Sequence, residues 1–383
     1  MKNPLSIVII FSILAGQLIR FSLKGDNSNG LSLLDLVVYI FCLIGFVRLK
    51  FQLHKPPKFI ISTGLFILIA IASLIFTPLN LSTAEFGISS YYILRFSAYL
   101  MLCWLVYSNA FGNLKKQVDL ILISSGVGLA ILGLLQLIFL PDLSFLSKYG
   151  WDPHYFRTVS TFLDPNFAGA FFSLTLLLFL NKPITKKAIV FFVITYLALL
   201  TTFSRSSYLM FLVSGLSISY FNKSKKLAFK VILLFLILLL GFQLYTQLIS
   251  KPRNIDREKS ASLRISTWQQ GWQLFSSHSI LGIGFNSYKY AVKQYNLADP
   301  QFLQSHGSSS NDSSLLFVAA TTGIIGLLSY IYFLFSLGIN NPNNRLVTIP
   351  AILGLLIHSI FANSLFFPPI LFWLLLISAN SKK

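Results

Sequence analysis

The sequence predicts an all-α polytopic membrane protein of about 12 transmembrane helices, with one long outer loop carrying short helices after the ninth. Three observations carry that expectation. Of 383 residues, 55% are hydrophobic and only 11% charged, with 37 phenylalanines and a mean hydropathy of +0.73. A soluble domain carries about 25% charged residues and needs polar cover over its exterior, which lipid does not demand. Apolar runs recur at about the 20-residue length that a bilayer core requires of a helix, where each segment must satisfy its own backbone. The charged residues, finally, are sorted between the two sides of those runs.

Taken in order, the runs lie near residues 4–23, 31–48, 59–77, 87–107, 118–140, 165–180, 187–203, 206–221 and 227–248, then 314–337, 346–362 and 365–379. The first follows Met1 and Lys2 as a signal peptide would. It is longer than an h-region and no clear small-residue cleavage site follows, so it reads as a retained span. The pair flanking Arg205 is separated by the shortest break, Ser204-Arg205-Ser206. Three parts result: nine spans in 1–248, the long loop in 249–313, and three spans in 314–383. No fixed-period repeat, low-complexity tract or second soluble domain is evident.

Orientation follows from the Lys and Arg bias. With the N-terminus inside, the inner segments are 48–58, Lys115 and Lys116, 182–187, 223–226, and Lys382 and Lys383, none containing an acidic residue. Asp26, Glu85, Asp142, Asp152, Asp164, Asp256, Glu258, Asp299 and Asp312 all fall outside. Both termini are therefore expected in the cytoplasm. The net charge of +19 sits in short patches between spans, as orientation signals do, so nucleic acid is not an expected partner. Cys42 and Cys103 lie inside apolar runs without a CxxC spacing, which implies neither a disulfide nor a metal site.

Two outer segments hold the chemistry. Residues 141–164 link the fifth and sixth spans. The long loop carries Lys251, Arg253, Arg257, Lys259, Arg264, Lys289 and Lys293, a charge suited to an anionic ligand or to anionic lipid headgroups. In the stretch RTVSTFLDPN at 157–166, Pro165 suits a first helical turn and Asp164 its N-cap. Arg157 stands beside a helix end that favours anions. Arg205, in the turn TTFSRSS at 201–207, is either a snorkelling side chain or a bidentate fork for phosphate. Arg264 and Trp268 share a helix face by their spacing of four, and Trp272 repeats it, which also fits an amphipathic helix resting on the membrane. Gly282 and Gly284 form a tight turn, a weak phosphate signal. Asp312, at the edge of the tenth span, is an N-cap or a desolvated base; His306 is a second candidate base or an ordinary loop histidine.

In this order the motifs resemble the O-antigen ligase and polymerase family of bacterial membrane glycosyltransferases. That family's R-x-x-G-T-F-x-x-P-N corresponds to 157–166, with Ser160 in place of Gly, and its S-R turn to Ser204 and Arg205. Its R-x-x-x-W corresponds to Arg264 and Trp268, and its h-P-l-x-G-x-G to 278–284, with Ser279 in place of Pro. Thr322, Gly323 and Gly326 match its closing T-G-l-x-G, which aligns Asp312 with a His of the ligases. The resemblance covers residues 150–375 and the span plan before them.

It implies a GT-C-like fold in the bacterial inner membrane and transfer of glycan from an undecaprenyl-pyrophosphate carrier at the periplasmic face. The acidic residue at 312 leans toward polymerisation of glycan units; attachment to lipid A-core or protein is the alternative. Arg157, Arg205 and Arg264 are the expected pyrophosphate clamp, because guanidinium stays charged and binds phosphate as a fork. Asp312, then His306, is the expected base, with Asp164, Asn166 and Trp268 in support. The partners are the lipid-linked glycan, an acceptor glycan or lipid, and membrane lipid. No Asp-x-Asp or His cluster calls for a metal, so metal-independent, cofactor-free, inverting transfer is expected. The rival from another class is a secondary transporter using Asp35 and Arg95 within spans, although those two can equally pair internally. A non-catalytic membrane scaffold is the plainest alternative.

Overall fold

The computed structural model describes residues 4–23, 26–50, 52, 55–182, 185–251, 257–299, 303, 306–339 and 345–379. Every apolar run of the sequence contains one apolar helix. Before the long loop come α1 (Pro4–Ala15), α2 (Leu33–Arg48), α3 (Lys58–Ile75), α4 (Thr83–Tyr107), α5 (Val118–Phe139), α6 (Pro165–Leu180), α7 (Lys186–Thr202), α8 (Arg205–Phe221) and α9 (Lys225–Tyr245). The loop carries α10 (Arg257–Ser277) and α11 (Tyr288–Gln294), and α12 (Ser314–Ile339), α13 (Arg345–His358) and α14 (Pro368–Ala379) follow it. Among the described residues, Lys58–Ile75, Leu114–Phe139, Lys225–Ser250 and Ser314–Ile339 are long and apolar enough to cross a bilayer. Helices α1, α6, α13 and α14 are apolar but shorter. The chain is a membrane protein.

The local chemistry of helix starts recurs at one end of the bundle. Asp164 caps α6 by accepting from the amides of Asn166 and Phe167, with Pro165 at the first helical position. Ser204 caps α8, and Ser82 with Glu85 forms a capping box on α4. Two helix boundaries differ from the sequence reading. Helix α1 stops at Ala15 because Gly16 takes a φ of +53°, with the Thr161 backbone packed against it. Gln17 N–H then donates to Thr161 O at 2.8 Å. The polar stretch beyond forms an antiparallel hairpin, β1 (Arg20–Leu23) and β2 (Asp26–Ser32), with Arg20 opposite Ser32; this hairpin is the departure from an all-α chain. Helix α13 stops at His358, and a 3-10 turn, Ser364–Phe366, precedes α14, so the segment between them is irregular.

Packing is tightest around α8, which lies against α6, α9 and α13, while α12 lies against α3. Phe66 of α3 meets Phe96, Phe285 and Tyr330 edge-on, with ring centroids 5.7, 5.9 and 4.9 Å away, the arrangement that aromatic quadrupoles favour. Helix α9 is at the periphery, with little of its apolar surface buried. Deep in the bundle Arg95 Nη2 donates to Asp35 Oδ2 at 2.8 Å. Tyr99 OH and the Ser32 amide and hydroxyl complete the carboxylate's partners, and Gly30 O accepts from Arg95 at 2.7 Å. Asp35 and Arg95 thus form an internal ion pair, as one of the two sequence readings held.

Candidate active site

A cavity of about 1320 Å³ opens at the end of the bundle where α6, α8 and α12 begin. It is lined by Arg157, Asp164 and Asn166, by Arg205, and by Arg264, Trp268 and Asp312. Residues far apart in sequence therefore share one cavity. The starts of α6 and α8 face the same space, so their amide ends add to its positive potential.

The stretch 157–166 runs along the 201–207 turn. Arg157 Nε donates to Thr202 O at 2.8 Å and Nη2 reaches Phe203 O at 3.5 Å. Thr158 N–H donates to Thr201 O at 2.9 Å. Asn166 accepts from Ser204 Oγ at 2.8 Å, and its backbone carbonyl accepts from Ser207 Oγ at 3.1 Å. Behind this turn His358 Nε2 is 3.3 Å from Ser207 Oγ, and its Nδ1 is 3.1 Å from Ser364 Oγ. Asp164 thus fixes the start of α6, and Asn166 ties that start to the beginning of α8. Arg205 stands at that beginning with its side chain exposed, its guanidinium 5.6 Å over the Phe242 ring. Its guanidinium hydrogen bonds to nothing among the described residues, and the same is true of Arg264.

Helix α10 supplies the opposite wall. Thr267 Oγ lies 2.9 Å from Asp312 Oδ2. Asn311, beside it, is buried and bonds through Nδ2 to Thr267 O and, at 3.0 Å, to the Tyr288 hydroxyl. Burial raises the pKa of Asp312 above the usual carboxylate range and Asp164 adds to the rise, against the pull of Thr267 and Arg264. Asp312 is therefore anchored by α10 and is not the N-cap of α12; Ser313 Oγ and Asn311 make the local turn bonds there. His306 begins a 3-10 turn, His306–Ser309, and its side chain lies outside the described residues. Trp268 lines the cavity whereas Trp272 is 62% exposed, so the Trp pair runs from the cavity wall to the outer surface.

The glycine turn has a different use. Gly323 takes a φ of +66° and breaks α12, and the 279–284 segment docks into the break. Ile283 and Gly284 N–H donate to Ala320 O and Thr321 O at 3.0 Å, and Ile324 N–H donates to Ser279 O at 2.8 Å. Gly282, at φ +72°, lies against the Thr321–Thr322 backbone. The turn and the Thr-Gly motif are two halves of one packing joint and neither lines the cavity.

Sequence reasoning passed over several lining residues. Asp152 faces the cavity, and the surrounding walls, with Asp164 and Asp312 nearby, raise its pKa. Burial, then Arg157, lowers that of His154 well below the usual histidine value, so its ring is neutral. Asn363 enters from the irregular segment after α13, and Arg20, from the hairpin, lies 5.7 Å over the Trp151 ring. None belongs to a motif; Asp152 and His154 carried only the signal of their place in the 141–164 segment, expected on the outer side.

Residues 190–331 match a family model described as O-antigen ligase. That match supports membership of the O-antigen ligase and polymerase family. The matched O-antigen ligase region contains Arg205, Arg264, Trp268 and Asp312, while Arg157, Asp164 and Asn166 precede it. No curated protein matches the chain. The match supports a membrane glycan-handling function of the ligase or polymerase type, since members of that family are glycosyltransferase-like enzymes.

Proposed function

We propose that the protein is a glycosyltransferase that moves glycan units from an undecaprenyl-pyrophosphate donor to a sugar hydroxyl at the periplasmic face of the bacterial inner membrane, as a polymerase, with both termini cytoplasmic. The observation that carries this reading is the pair of guanidinium groups, Arg205 and Arg264, that make no hydrogen bond among the described residues and share one cavity with Arg157 and Asp312. A guanidinium without a hydrogen bond among the described residues, in a cavity that two helix amino ends face, suits a dianionic diphosphate. Asp312, desolvated and held by Thr267, suits a hydroxyl as proton acceptor.

In the proposed step the acceptor oxygen attacks the anomeric carbon as its proton passes to Asp312. The bond from that carbon to the phosphate oxygen breaks, its electron pair leaves with the pyrophosphate, and the arginines hold the charge released. Direct displacement inverts the anomeric centre, and no metal takes part. His306 remains the second candidate for the proton.

The test is surface and lipid-linked glycan analysis in a strain lacking the protein and complemented with Arg205→Ala or Arg157→Ala at normal expression. Loss of polymer with accumulation of single lipid-linked units supports the polymerase. Loss of attachment with polymer still on the carrier supports the ligase. Unchanged glycan length and amount in both variants overturns the clamp.

A further inference from the structure

One corner of the cavity is made by the middle of α10 and the irregular segment after α13. The Trp268 ring lies 6.0 Å from that of Phe361, Asn363 follows two residues later, and all three line the cavity. Thr267, the neighbour of Trp268, is the residue that holds Asp312. The 359–365 segment is tied to the start of α12, because Ser314 N–H donates to Ser359 O at 2.9 Å and Leu365 N–H to Ser314 Oγ at 3.3 Å.

In this corner polar atoms are left over. Trp268 Nε1 and Asn363 Oδ1 are buried and hydrogen bond to nothing among the described residues. Asp312, which also lines the cavity, hydrogen bonds among the described residues through Oδ2 to Thr267, so its Oδ1 is left for the cavity. Buried polar atoms are nearly always paired, and the surrounding network is: Asn311, Tyr288, Thr267 and Gln270 bond to one another. Orphaned polar atoms also occur elsewhere, Ser287 Oγ and His154 Nε2 among them, but Trp268 Nε1 and Asn363 Oδ1 are the two that stand in the wall beside Asp312. An indole donor, an amide oxygen and a carboxylate oxygen do not suit a phosphate, which two of the three would repel. They suit neutral hydroxyls, which donate and accept in turn, beside an aromatic ring of the kind that packs against the C–H face of a sugar.

We infer that Trp268, Asn363 and Asp312 form a subsite for the acceptor sugar, separate in chemistry from the arginines that face the diphosphate. The indole N–H donates to one sugar oxygen, Asn363 Oδ1 accepts from a neighbouring hydroxyl, and Asp312 faces the hydroxyl that reacts. This inference rests on the glycosyltransferase reading.

The experiment uses the full chain in nanodiscs, titrated separately with an oligosaccharide released free of lipid from the host's own surface glycan and with inorganic pyrophosphate. Trp268→Phe keeps a ring and removes the N–H; Asn363→Ala removes the amide from another segment. Each is expected to weaken oligosaccharide binding about threefold to tenfold, the loss of one net hydrogen bond, with pyrophosphate binding and the unfolding midpoint unchanged. Arg205→Ala is expected to do the reverse. Oligosaccharide affinity unchanged in both variants, or pyrophosphate affinity falling in step with it, overturns the subsite. So does a wild type that binds pyrophosphate alone, which leaves the arginine clamp standing; a wild type that binds neither probe overturns both.

Discussion

Arg95 and the pair Arg205 and Arg264 line the same cavity and are used in opposite ways. Arg95 is buried, paired with Asp35, bonded to Gly30 O, and flanked by the rings of Tyr91 and Tyr92 at 5.2 and 4.7 Å. Its charge is neutralised within the fold, as a charge at that depth must be. Arg205 and Arg264 stand at the starts or flanks of helices without a hydrogen bond to their guanidinium groups among the described residues. In the proposed reading their charge is left for the diphosphate of the donor. A cavity arginine is therefore not in itself a ligand group; its partners decide.

The sharpest way to break this contrast is to remove the Arg95 partner. Asp35→Ala leaves a buried cation uncompensated and is expected to cost about 3–5 kcal/mol, read as loss of folded protein from the membrane or a lower unfolding midpoint in detergent. The double change with Arg95→Met should recover much of that loss. Arg205→Ala should leave the midpoint in place and reduce glycan transfer about 10²–10³-fold, with Arg205→Lys intermediate because it keeps the charge and loses the fork. Equal losses of stability in the two alanine variants would erase the distinction. Gly323→Ala tests the joint rather than the cavity. Its strained φ and the Ile280 carbonyl against it should lower stability by about 1–3 kcal/mol, with little effect on pyrophosphate binding.

The smallest effect concerns pH. Asp312 must be ionised to accept a proton, and its pKa is raised by burial, so transfer should fall on acidification at a higher pH than an ordinary carboxylate gives. Arg264 lowers that pKa, so Arg264→Gln should move the acid limb further up. A pH–rate profile unmoved by both Arg264→Gln and Asp312→Asn would remove Asp312 from the proposed proton transfer.

The runs near 165–180 and 206–221 needed only hydropathy and caps: Asp164-Pro165 and Ser204 mark helix starts by chemistry that acts over three residues. The first run was misjudged past Ala15 because its end depends on Thr161, which no local pattern reveals. The arginines at 157, 205 and 264 were legible through the short motifs that carry them, and the structure brings all three to one cavity. Asn363 and Asp152 were not, since an Asn after an apolar helix and an Asp in a loop are ordinary in sequence. The glycine pair at 282 and 284, a weak phosphate signal in sequence, is a packing joint, because what a positive φ brings close depends on which backbone lies opposite.

By itself the sequence determined the helices, their apolar faces and the sorting of charge, since these follow from short-range hydropathy, capping and the cost of burying charge in lipid. Only the tertiary structure decided which charges are neutralised and which are left open. That depends on contacts between residues as distant as Asp35 and Arg95, or Thr267 and Asp312, and local sequence carries no record of who meets whom across the bundle.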